Sequence, residues 1–291
     1  MISINTNNGG LFAAKAASQS QATIDSAMQR LSTGSRINNA KDDAAGQAIA
    51  TRLTAEIQGL EIASRNVADG QSLVDTAEGA LQETHTLLLR MREIGVQAAN
   101  GTLSTSDNQA LDAEFQQLVK EIDRIAQNAT WAGAALLNGD AAGAEDSTAT
   151  FSFQAGVGNN SGADVFSVTV KNADSTTLDV FVANASDATV NDVNLLSQTS
   201  AGSASTAVDA AIATVSSERA NLGAVSNRMA STMANLDQIR VNLTASKGRI
   251  ADADFAAETA NLAKGQILQQ AATAMLAQAN ASKQQVLTLI R

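Results

Sequence analysis

The chain has 291 residues with no cysteine, no proline and no tyrosine, and its formal charge is −10. Without cysteine it has neither disulfide staples nor thiolate chemistry. The acidic balance, with no basic cluster, argues against nucleic acid or an anionic membrane surface as a partner. No run of about 18 apolar residues is present, so no membrane-inserted helix is predicted. Average usage would place roughly 15 prolines in a chain of this length. Because proline breaks helix interiors, its absence suits very long helices. Aromatic residues make up 3%, so buried area has to come from Ala, Leu, Ile and Val packed closely.

The opening residues, Met1-Ile2-Ser3-Ile4-Asn5-Thr6-Asn7-Asn8, show no basic stretch followed by an apolar one, and no cleaved signal peptide is expected. Residues 5–31 are Ala-rich, and Ala13, Ala17, Ile24, Met28 and Leu31 fall near one helical stripe. Gly34 stands where a helix C-cap glycine belongs. Residues 34–46 read as a connector, with Asp42 and Asp43 as capping chemistry for the next helix. That helix is predicted over residues 44–99. At 1.5 Å per residue, some 50 residues span roughly 75 Å, a length that suggests a helical bundle or coiled coil. Asn100-Gly101 ends it. A third helix is predicted from residue 106 or 107 to 128, with Leu111, Phe115, Leu118, Val119, Ile122 and Ile125 at a 3–4 spacing.

Composition then changes. Residues 140–205 are rich in Ser, Thr, Asn, Gly and Asp, and alternation replaces helical spacing at Phe151/Phe153, Phe166/Val168/Val170 and Leu178/Val180/Val182. These predict a small β domain. Helical spacing resumes near residue 206 and continues to about 250. Asp252 and Asp254 then read as a cap before a last helix bearing Leu268, Ala272, Met275, Ala279, Val286 and Ile290.

The predicted fold is therefore mainly α with a small β insert. It folds as a hairpin of the whole chain, in which both ends lie side by side in a long antiparallel helical bundle or coiled coil. Two terminal helices of about 30 residues cost on the order of 90 kcal/mol to order, and a two-helix pair covers only one stripe on each. The termini are therefore expected to be mobile in a lone copy and to order when other copies cover them.

Several patterns invite chemistry and fail it. His85 is the single histidine and has no convergent partners for catalysis or metal binding. Gly156-Val157-Gly158-Asn159-Asn160-Ser161-Gly162 does not have phosphate-loop spacing, and a strand is expected after it. The paired aspartates are explained by helix capping. No catalytic residue, cofactor or metal site is expected, and the chain reads as a structural protein and not an enzyme.

Specific stretches resemble the bacterial flagellins. They are Ile4-Asn5-Thr6-Asn7, the run Leu31-Ser32-Thr33-Gly34-Ser35-Arg36-Ile37-Asn38-Asn39-Ala40-Lys41-Asp42-Asp43-Ala44-Ala45-Gly46, then Ser64-Arg65-Asn66-Val67-Ala68-Asp69-Gly70, and the tail from Met275-Leu276-Ala277-Gln278-Ala279-Asn280 through Val286-Leu287 to Ile290-Arg291. Where flagellin tails carry a proline, this chain has Ala281-Ser282-Lys283-Gln284.

The resemblance implies a homo-polymer of many copies, the extracellular filament of the flagellum. Residues 1–34 and 252–291 would be coiled-coil helices lining its core. Residues 35–139 and 206–251 would form a surrounding tube, and 140–205 a variable β-rich outer domain. The implied partners are an export chaperone, a cap protein and hook-junction proteins, with type III export and no cleaved signal. Leu89-Arg90-Met91-Arg92-Glu93-Ile94 resembles the segment that host Toll-like receptors bind, which implies a contact surface of Arg90, Glu93, Ile94 and Glu114. Two alternatives are a hook–filament junction protein and a flagellin-like cell-surface polysaccharide-binding protein. The β insert has neither Trp nor Tyr for stacking on sugars.

Overall fold

A computed structural model describes residues 6–138, 148–158, 164–180 and 193–289; for 283–289 it gives backbone only. The elements in chain order are α1 (Asn8–Thr33), α2 (Ala44–Ala98), α3 (Thr105–Asn128), β1 (Thr130–Trp131), β2 (Ala134–Ala135), β3 (Thr148–Gln154), β4 (Val165–Lys171), α4 (Gln198–Ala251) and α5 (Phe255–Leu289). The mainly helical fold with a small β insert is as the spacing predicts. The chain divides into two compact units, one of Met1–Ile57 with Val241–Arg291, the other of Gln58–Arg240. The long helices α2 and α4 each contribute residues to both.

In the first unit, α1 and α5 run antiparallel. The Asn7 side-chain oxygen accepts from Gly10 N–H and caps α1. Gly34 ends the helix in the left-handed conformation, φ 70°, where a Cβ would cost energy, and its N–H donates to Arg30 O. The connector is folded by its aspartates. Asp42 accepts from the N–H groups of Asn38 and Asn39, and Asp43 caps α2 by accepting from Gly46 N–H. The two Asn N–H groups hold the Asp42 carboxyl below its ordinary range. Asp254 caps α5 by accepting from Ala256 and Ala257 N–H.

In the second unit the interior positions of α2 recur every three or four residues. Leu60, Ala63, Val67, Gly70, Val74, Ala77, Leu81, Thr84, Leu88, Met91, Gly95 and Ala98 are all buried. Steps alternating 3 and 4 are a heptad seam. The α4 seam, Ala201, Ala204, Val208, Ala211, Val215, Glu218 and Leu222, has the same period. Gly70 sits at a close approach, where a Cβ would meet Met229 Cε at 2.9 Å and Phe153 Cδ2 at 3.1 Å. Glu218 is buried on its seam, and its carboxylate accepts from Lys171 N–H.

Helix α3 opens with a reciprocal cap between Ser104 and Asp107, and this bonding lowers the Asp107 pKa. It buries Phe115, Val119, Ile122 and Ala126. Its carboxylates also hold distant backbone: Asp123 accepts from Ser175 N–H and Asp112 from Leu195 N–H. Ala173 N–H donates to Leu137 O.

The β insert contains an antiparallel hairpin, β3–β4, with Phe151 opposite Val168 and Phe153 opposite Phe166. Strand β4 buries Phe166, Val168 and Val170 on one face, as their alternation predicts, and the Arg228 guanidinium covers the Phe166 ring at 4.2 Å. The third alternation is not a strand in its described part. Leu178 and Val180 are buried within a turn where Leu178 N–H donates to Asp174 O, while Val182 lies outside the described residues. A short hairpin unmarked in the sequence joins β1 to β2 through Ala132 and Gly133, both at positive φ. Helix α4 also starts at Gln198, earlier than its large apolar residues predict. Ser197 and Ser200 cap it reciprocally, and the first buried residues are Ala201 and Ala204.

Candidate assembly interface

Most of the buried positions in the pairing of α1 with α5 are small residues. Gly10, Ala13, Ser20 and Ala27 are buried on α1, and Ala17, Ile24 and Leu31 are half-buried between them. On α5 the matching positions are Glu258, Gly265 and Ala272, buried, with Leu262, Gln269, Leu276 and Ala279 half-buried. Small side chains let the helix axes approach closely: a Cβ at Gly265 would sit 2.8 Å from Ile24 Cγ1.

Polar contacts occur at intervals along the pair. Asn7 Nδ2 donates to Asn280 Oδ1 at 3.1 Å and to Ala279 O at 3.4 Å. Gln269 Nε2 donates to Gln21 Oε1 at 2.6 Å. Arg30 Nη1 meets Glu258 Oε1 at 2.8 Å, with the Glu258 side chain only 10% exposed. The Arg30 guanidinium, with help from Asn261, holds the Glu258 carboxyl below its ordinary value.

Beside this seam lies an open groove of about 840 Å³, whose lining includes Phe12, Ala16, Lys264, Leu268 and Met275. Large apolar side chains stand bare along the two helices. Phe12 is 75% exposed, Ile267 67%, Leu11 66% and Met275 64%; Met28, Leu268 and Phe255 are also exposed. The predicted interface residues therefore fall into groups. Ala13 and Ala272 are buried between α1 and α5, and Ala17, Ile24, Leu31 and Ala279 are half-buried. Met28, Leu268 and Met275 are open. Val286 lies in α5 with its side chain outside the described residues, as is Ile290 altogether. Leu11, Phe12 and Ile267 escape the stripe reading, although a bulky apolar residue on the polar side of an Ala-rich helix is itself a signal.

In the second unit, the Arg90 guanidinium bonds Glu114 Oε1 at 2.7 Å and Glu93 Oε2 at 3.1 Å. These bonds raise the Arg90 pKa. Arg92 pairs with Asp209. Arg90, Glu93 and Glu114 thus share one exposed ion network, but Ile94, expected on the same surface, is fully buried. It lies next to Gly95 of the α2 seam and is buried with it. Leu89 is exposed instead. His85 is half-buried on α2. Among the described residues no group of three metal-ligating side chains occurs, and no helix is long and apolar enough to cross a membrane. Gly156 and Gly158 lie in the loop between β3 and β4, against the Asp164 side chain, so a strand follows that glycine-rich stretch, as predicted.

Two long antiparallel helices with small-residue seams and a bare apolar flank define a subunit of a helical polymer. The comparisons with known proteins agree. Residues 4–142 match the bacterial flagellin N-terminal helical region and residues 205–290 the bacterial flagellin C-terminal helical region. The flagellin of Halalkalibacterium halodurans is 44% identical over 265 residues, 91% of each chain. That of Bacillus subtilis is 41% identical over 99% of each. The crystal structure of Bacillus cereus flagellin shares 28% identity, covering 59% of this chain and 88% of that one with a TM-score of 0.49. The chain belongs to the bacterial flagellin family and is a structural subunit of the flagellar filament, an extracellular assembly.

Proposed function

We propose that copies of this chain polymerise by covering one another's terminal helices, so that α1 and α5 line the filament core. The observation that carries this reading is the row of bare apolar side chains, Phe12, Leu268 and Met275, beside an uncovered groove. Exposed apolar patches of this kind are rare on proteins that stay monomeric. In this reading Ala13, Ala17, Ile24, Met28, Leu31, Leu268, Ala272, Met275, Ala279, Val286 and Ile290 form the interface of the terminal helices, within and between copies. Residues 1–34 and 252–291 make the core, 35–139 and 206–251 the surrounding tube, and 140–205 the outer domain.

The chain leaves the cell by type III export. An export chaperone holds it before assembly, and a cap protein and hook-junction proteins bound the growing polymer. The exposed network of Arg90, Glu93 and Glu114 serves the filament first and is available to a host Toll-like receptor only on an unassembled copy. Deleting residues 1–34 or 252–291 tests the assembly reading. A folded, soluble monomer that fails to extend filament seeds is expected, and filaments grown from either truncated chain would overturn it.

A further inference from the structure

The seam between α1 and α5 repeats with a heptad period and distinguishes its register by shape chiefly where Ile24 lies against Gly265. Its buried α1 positions Ala13, Ser20 and Ala27 are seven apart, as are the buried Glu258, Gly265 and Ala272 and the half-buried Ala279 on α5. Sliding α5 by one heptad, about 10 Å along the axis, keeps the period in phase and only moves Ile24 from Gly265 to Ala272 or Glu258. Close packing distinguishes registers by shape, and Ala, Gly and Ser offer little shape to distinguish. In coiled coils whose apolar seam is indifferent to register, a polar residue at a single seam position fixes it.

Glu258 is the acidic residue on this seam. It bonds Arg30, which lies in the last turn of α1, while Glu258 lies in the first turn of α5. Each charge is thus on the helix end that its macrodipole favours, an alignment that any slip destroys. A few residues away the two chain halves are laced together. Arg36 N–H donates to Ala251 O, Ala253 N–H to Gly34 O, and the Arg36 guanidinium to Ile250 O. The contacts at the far end carry no charge: the half-buried Asn7 amide donates to the exposed Asn280 side chain and to Ala279 O.

We infer that Arg30, Glu258 and Arg36 act as a side-chain clasp that sets the register of the terminal helix pair. The inference deepens the assembly reading and rests on it, because the register decides where Phe12, Leu268 and Met275 meet neighbouring copies. The seam itself supplies adhesion, and the clasp supplies position.

The absence of cysteine allows a direct test in filaments of the full chain. A Cβ on Gly9 would lie 3.7 Å from Ala279 Cβ, within disulfide range. The pair G9C/A279C therefore reports the observed register. One-heptad slips in the two directions are reported by G9C/A272C and A16C/A279C. Cross-links are scored within single chains, at monomer mass. With the clasp intact, only G9C/A279C is expected to close on oxidation. In the R30M/R36M and E258Q backgrounds, closure of the slip pairs should rise about tenfold, the effect of removing one partner from a partly buried charge pair. Exclusive in-register closure in both backgrounds would overturn the inference, since the backbone bonds and the fit of Ile24 against Gly265 would then suffice. So would failure of G9C/A279C to close in filaments with the clasp intact. If the cysteine-free chain formed no filaments at all, the assembly reading itself would fall, which separates the two failures.

Discussion

Replacing Phe12 with alanine should raise the critical concentration for polymerisation about thirtyfold. Phe12 is 75% exposed in the lone chain. Burying a whole Phe side chain is worth up to about 3 kcal/mol, so covering the exposed three quarters is worth roughly 2 kcal/mol per subunit. At 1.4 kcal/mol per factor of ten, that is about thirtyfold. The assay is seeded growth followed by pelleting, with the residual soluble protein measured at steady state. The unassembled chain should keep its thermal stability, because a surface substitution that breaks no buried contact changes stability by about 0.5 kcal/mol or less. A critical concentration that moves by less than about threefold would refute the reasoning, for Phe12 would then stay wet in the filament.

Three further outcomes are expected. Ala132 sits at φ 50° in the tight turn between β1 and β2, so Ala132→Gly should relieve about 1 kcal/mol of strain and raise the melting temperature by about 2–4 °C. Phe115 is fully buried on α3, and Phe115→Ala should cost about 3–5 kcal/mol in urea unfolding monitored by circular dichroism. The Arg30–Glu258 pair has a signed pH dependence. Because the folded pKa of Glu258 lies below its ordinary 4.5, the pair's contribution is complete above that value and is lost as pH falls through the lowered one. Filament melting followed by light scattering from pH 7 downward should show this acid-side loss, and Glu258→Gln should flatten it.

Much of the helical framework could be read from the chain because its boundaries carry explicit chemistry. Gly34, Asp43 and Asp254 each mark a helix end by a cap that a sequence displays, whereas Ser104, the cap of α3, is passed over and that helix begins at Thr105. What escaped has a common cause. Apolar periodicity registers large side chains, whereas the terminal seam and the start of α4 are built from Gly, Ala and Ser. Gly10, Ser20 and Ala27 therefore went unnoticed beside Met28, which is in fact exposed, and Ala201 and Ala204 were assigned to the β insert. The heptad spacing of those small residues is the signal that would have found them. Leu178 and Val180 misled in the opposite way: two buried apolar residues spaced two apart also arise in a turn, here one held by Asp174. Ile94 was grouped with Arg90, Glu93 and Glu114 on the strength of the family resemblance, yet it is buried, because one residue beyond Glu93 the helix surface has turned by about 100°.

The ties made by α3 and Leu137 have a consequence for how this protein can change. Ala173 N–H returns to Leu137 O, while Ser175 and Leu195 are gripped through their N–H groups by Asp123 and Asp112. Each grip holds peptide backbone, which every residue except proline supplies, and so each is blind to what is spliced in between. Lengthening a closed excursion costs little, about 0.6 kcal/mol per doubling. The two stretches rooted at these points are therefore sockets into which new surface can be grafted while the helices beneath keep their seams.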